Sequence, residues 1–290
     1  MLRLPLSDIK TGSSGFWDLI RFFHRLEGVE DDVIDIDMAD VNWIDANMCS
    51  PLGAILSLKE KRGRQIVMSN LHDSQRDILS RNHFLSEFGG TEDHRGTTIE
   101  FRRFECSSLG TGAFQEYVSA FFQPASKGLP AMSDLLLKRF RESLYEIFEN
   151  AREHSDSQNR IFACGQLYPR KSRLDFTITD LGIGIEGSIK KNLGLDLTSS
   201  RAIEWAVRGN TTRCGRTGGL GLLLLQEFIR LNRGRLIIVS KRGYWECSQM
   251  GVEGATFSSS FPGTSVTIEV NTADRSSYRL ASEIDPASIF

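Results

Sequence analysis

TGGLGLLLLQEFIR, residues 217–230, crowds Gly218, Gly219 and Gly221 against the start of an apolar run. Glycine costs about 1 kcal/mol relative to alanine inside a helix, so glycines at a helix start call for a reason. A bare helix N-terminus lets an anion reach free backbone N–H groups at the positive end of the helix dipole. No strand directly precedes this stretch and no G-x-G-x-x-G occurs, so it is not a dinucleotide fingerprint. No G-K-[ST] follows, so it is not a Walker loop.

Three further segments carry chemistry. In EIFENAREHS, residues 146–155, Glu146, Asn150 and His154 are spaced four apart and share one helical face. Taken alone, that polar stripe is also what a solvated face shows. In DFTITDLGIGI, residues 175–185, a strand ends at Asp180 and is followed by Gly182 and Gly184. A carboxylate there can accept from an exocyclic amine, while the glycines let the backbone approach a flat ring. Taken alone, it is equally a tight strand-to-helix turn. GTSVTIEV sets Gly263 and Thr264 at the head of a last strand.

Together, Glu146-x-x-x-Asn150-Ala151-x-x-His154, Asp180-x-Gly182-x-Gly184-Ile185, Gly219-x-Gly221-Leu222 and Gly263-Thr264 resemble, in type and order, the GHKL ATPase superfamily. That group comprises gyrase, heat-shock chaperone, histidine-kinase and MutL ATP-binding domains. The resemblance covers residues 131–272 and implies an α/β sandwich (the Bergerat ATP-binding fold), with ATP between helices and a mixed sheet. By the resemblance, Asp180 takes the adenine N6 amine, with Thr264 assisting through water, and Gly182, Gly184 and Ile185 line the base. Asn150 ligates Mg²⁺. Gly219, Leu220, Gly221 and Leu222 hold the phosphates. Residues 186–217 form a lid in which Arg208, Arg213 and Arg216 are candidate γ-phosphate contacts. Glu146 stands where catalytic members keep a general base, and His154 is given a positioning role.

The first half reads as strands alternating with helices, an α/β layer over residues 1–107. Within it, VIDIDMADVNWIDANMCSPLGAIL, residues 33–56, resembles the STAS domain of anti-sigma-factor antagonists. Asn47 stands at the usual phospho-acceptor position and cannot accept a phosphoryl group; Ser50 is a weak substitute. The resemblance therefore implies a module that docks protein partners rather than a phosphorylation substrate. Asp45 reads as the N-cap of the following helix, and TTIEFRRF as the last strand of this layer. Residues 108–130 read as a connecting helix and linker, and Ser133 or Asp134 as the cap of the long helix after it. Residues 273–290 read as a polar tail expected to fray.

The 290 residues carry a formal net charge of -2, with 40 % hydrophobic and 25 % charged residues. This is ordinary globular composition without a basic nucleic-acid footprint. No apolar run is long enough for a membrane span, and MLRLPLSDIK lacks the apolar core of a signal peptide. Cys49, Cys106, Cys164, Cys214 and Cys247 form no C-x-x-C, which fits a reduced, cytoplasmic protein. The scattered histidines complete no metal site. Gyrase- and MutL-type members carry a transducer domain after the ATP module, whereas twenty residues follow Val270 here. No phospho-acceptor histidine hairpin precedes the module, as sensor kinases require. The sequence-level expectation is thus a Mg-ATP-binding regulator of the anti-sigma-kinase type, with ATPase or Ser/Thr kinase activity. The alternative is a non-catalytic switch that binds ATP or ADP. A homodimer is left open.

Overall fold

Strands Leu2–Pro5 (β1), Val33–Asp37 (β2) and Gln65–Ser69 (β3) form a parallel three-stranded sheet in the order β1-β2-β3. Helices Ser13–Glu27 (α1), Cys49–Glu60 (α2) and Asp73–Arg81 (α3) accompany it. The computed structural model describes residues 2–85, 96–123, 128–154, 160–212 and 220–283, without the side chains of His154 and Leu220. In α1 the apolar positions Phe16, Leu19, Ile20 and Phe23 recur at helical spacing and are buried. α3 stops early: Asn82 caps its own turn by accepting from Phe84 N at 3.0 Å, and His83 is left-handed at φ 63.

The remaining chain builds a second sheet. Thr98–Glu105 (β4) leads into helix Ser108–Phe121 (α4), the short strand Ala131–Met132 (β5) and the long helix Asp134–His154 (α5). Arg160–Tyr168 (β6) and Arg173–Asp180 (β7) follow, then helices Gly184–Leu193 (α6), Ser199–Val207 (α7) and Leu220–Asn232 (α8). Arg235–Ser240 (β8), Gly243–Ser248 (β9), Gly251–Thr256 (β10), Thr264–Asn271 (β11) and Ser277–Tyr278 (β12) complete the order. The seven-stranded sheet runs β10-β9-β8-β11-β7-β6-β4. Every pairing in it is antiparallel, where the resemblance implied a mixed sheet.

Alternation along the strands buries both faces of this sheet. In β7, Leu174, Phe176 and Ile178 pack under the helices, while Asp175, Thr177 and Thr179 face the other way and are fully buried. The helix-side core joins Phe114, Phe148, Leu225 and Phe228 to Ile238 and Ile268. The opposite core joins residues of α1, α2 and β2 to Phe162, Cys164, Ile237 and Val239. The sheet is thus the middle layer of a mixed α/β architecture.

Several expectations are corrected. β4 does not close the first layer; it is hydrogen-bonded to β6, so the large sheet begins at Thr98. Asp45 makes no side-chain cap. Its carboxylate accepts from Thr11 N at 2.7 Å and Trp43 Nε1 at 2.8 Å, and lies 3.3 Å from Arg173 in β7. Ser133, not Asp134, caps α5, its Oγ accepting from Leu136 N at 3.1 Å. The glycine- and polar-rich segment after Asp180 contains two helices, α6 and α7, where one was expected. The tail does not fray over residues 273–283. β12 pairs with β5, and the Tyr278 ring packs edge-on against Phe228 at 5.5 Å.

Asn47 and Ser50 are wholly buried against the rear of β6 and β7. Asn47 Nδ2 donates to Thr177 Oγ1 at 3.0 Å. Ser50 Oγ lies 2.9 Å from Thr179 Oγ1 and donates to Phe162 O at 3.0 Å. Thr177 and Thr179 continue the chain to Thr267 and Ser265 in β11 at 2.8 and 3.0 Å. The described cysteines Cys49, Cys106, Cys164 and Cys247 are free thiols. Among the described residues, no helix is long and apolar enough to cross a membrane, and no cluster of His, Cys, Asp and Glu could hold a metal.

Candidate functional site

On the helix side of the large sheet a cavity of about 110 Å³, open to solvent on one side, lies between α5, α6 and α7. Its floor is Ile178 and Asp180 of β7 with Thr264 and Val266 of β11. Ile147, Asn150 and Ala151 of α5 form one wall. Gly184, Ile185 and Ser188 of α6 form another. Ile189, Trp205, Ala206, residues 210–212 and Leu222 complete the lining.

Asp180 sits where β7 ends and pairs across the sheet with Thr264. Burial pushes its carboxyl up to about 7. Lys241 and a backbone hydrogen bond from Thr264 keep it from rising further. Lys241, its own ammonium pulled down by burial, donates from Nζ to Gly182 O at 2.7 Å and so fixes the loop after Asp180. Ser240 Oγ accepts from Ile185 N at 2.9 Å and lies 3.0 Å from Thr264 Oγ1, tying the start of α6 to β11. Gly263 has a steric cause. A Cβ there would lie 2.0 Å from Asp180 O and 2.9 Å from Gly182 N, so the carboxylate-bearing turn requires a bare backbone beside it.

Glu146 does not line the cavity. Its Oε2 accepts from Gly221 N at 2.9 Å, in the first turn of α8, where a carboxylate is favoured by the helix dipole. A Cβ on Gly221 would lie 2.6 Å from that oxygen and 3.1 Å from Ser143 Cα. Gly221 is therefore glycine because α5 passes against it.

The cavity thus gathers Asn150, Asp180, Gly184, Ile185, Leu222 and Thr264 from distant parts of the sequence. Gly182, Glu146 and Gly221 are absent from the lining; Gly182 O accepts from Lys241 Nζ, and Glu146 and Gly221 are hydrogen-bonded to each other. Arg213, Arg216 and Gly219 lie outside the described residues, as do the side chains of Leu220 and His154; the backbone of Leu220 begins α8. Arg208 follows α7 and is absent from the lining.

Sequence reasoning missed Trp205, Ser188, Ser240 and Lys241. A readable signal existed only for Trp205, a large aromatic in a stretch that was assigned to a polar lid. The chain matches no family model and no curated protein sequence.

Proposed function

We propose that this chain is a Mg-ATP-binding, cytoplasmic regulatory protein of the GHKL type, with a STAS-like N-terminal half. The observation that carries the reading is one cavity combining a carboxylate at a strand end, a threonine beside it and a carboxamide across from them. Asp180 and Thr264 suit a purine edge bearing an amine. Asn150 offers an oxygen to Mg²⁺, whose remaining ligands would be phosphate oxygens and water, the coordination this ion prefers. Bound Mg²⁺ would screen phosphate charge. The protein's part is to orient the nucleotide and exclude water. Glu146 is one helical turn before Asn150 and is the candidate general base for ATP hydrolysis or transfer to a Ser/Thr hydroxyl.

The test is calorimetry with ATP and ADP in the presence of magnesium, paired with a turnover assay. Asp180→Asn is expected to lose nucleotide affinity, and Glu146→Ala to lose turnover. Absence of heat with either nucleotide overturns the proposal. A second reading, a nucleotide-gated switch without turnover, is favoured by the engagement of Glu146 on Gly221 N and by its absence from the cavity lining. Under it, Glu146→Ala leaves function intact. Partner proteins would engage the STAS-like half elsewhere than at Asn47 and Ser50, which the large sheet covers.

A further inference from the structure

The cavity's floor and α5 wall carry the aliphatic side chains of Ile147, Ala151, Ile178 and Val266 beside the polar Asn150, Asp180 and Thr264. Trp205, half-buried, enters the lining from α7 and is the aromatic side chain among the described lining residues. The core contacts of α7 are made by other positions, Ala202, Ile203 and Val207. Trp205 is not among these buried core positions, and it lines the cavity. Its backbone does a second thing. Asn210 Nδ2 donates to Trp205 O at 2.8 Å, anchoring the first of residues 210–212, which also line the cavity.

We propose that Trp205 determines specificity for a planar base: its ring forms one wall against the base, and its carbonyl fixes the segment that covers the ligand. The inference rests on the nucleotide reading above and adds to it the residue that stacks on the base. Stacking of a base on an aromatic side chain is sequence-tolerant and costs affinity when the ring is removed. Trp205 would thus demand a flat ring, and Asp180 would choose among flat rings.

The experiment compares wild type, Trp205→Ala and Trp205→Phe by calorimetry with ATP and with adenosine, alongside indole fluorescence. Trp205→Ala should weaken both ligands by the same factor, about tenfold. Trp205→Phe should stay within about threefold of wild type, because a ring remains. Adenosine should change the emission of the wild type, and that change should vanish in Trp205→Phe, which keeps the measurement decisive if Trp205→Ala does not fold. Two results overturn the assignment: Trp205→Ala binding adenosine as tightly as wild type, or the emission change persisting in Trp205→Phe. Either result with ATP still bound sinks this inference alone. No heat from the wild type with ATP or ADP sinks the nucleotide reading and the role of Trp205 with it.

Discussion

Replacing Asp180 by asparagine should stabilise the ligand-free protein at pH 8 while removing its affinity for nucleotide. In the folded chain burial raises the Asp180 carboxyl from its ordinary 3.8 to about 7. The folded state therefore holds this proton more tightly than the unfolded state does, and stability falls as pH rises from about 4 to about 7. Above that window the carboxylate is ionised in both states and the full penalty applies. At about 1.4 kcal/mol per pH unit the upper bound is about 4 kcal/mol. Relaxation and water entering the open cavity lower it, and about 2 kcal/mol is expected. Asparagine carries no charge and escapes the penalty. The variant should gain roughly 5 °C in Tm at pH 8, and under half of that gain should remain at pH 5. Urea titrations of both proteins at the two pH values, without nucleotide, read this directly. A variant that is less stable at pH 8, or a gain that does not shrink toward pH 5, refutes the reasoning.

Gly221→Ala, ordinarily a favourable change within a helix, should cost about 1–3 kcal/mol in urea unfolding, because the new methyl group meets Glu146 Oε2 at 2.6 Å and the α5 backbone at 3.1 Å. Asn47→Ala removes the amide that donates to the buried Thr177 hydroxyl. It should lower stability by about 1–3 kcal/mol and leave nucleotide affinity unchanged by calorimetry. Truncation after Thr272 should lower Tm, since it removes β12, the packing of Tyr278 on Phe228 and the bond from Ser133 Oγ to Glu283; an unchanged melting curve would show that these contacts contribute nothing.

Local periodicity made most elements readable. The alternation of Phe176, Ile178 and Asp180 marked β7, and the spacing in α1 and α5 marked those helices. β4 was assigned to the wrong layer because a strand's pattern reports one buried face, not its hydrogen-bonding neighbour. The stripe Thr177, Thr179, Ser265 and Thr267 is buried against α2, where the hydroxyls satisfy one another, and polar alternation along a strand does not by itself reveal that second packed layer. α6 was missed because Gly184 and Gly187 weaken its helical signal. Four short boxes led to Asp180, Asn150, Leu222 and Thr264, which line one cavity. Lys241 and Ser240 were not legible, since their roles depend on how the turn after β8 is laid beside the start of α6.

A sheet enclosed on both sides has a consequence for dissection of the molecule. Cutting within residues 123–130 would strip α2 from β6 and β7 and leave Phe162, Ile237 and Val239 bare on the longer fragment, while the shorter would hold β4 without its neighbour. Neither piece would be a self-sufficient folding unit. Melting of the intact chain should then register as one transition, and the separated fragments should become soluble only when produced together.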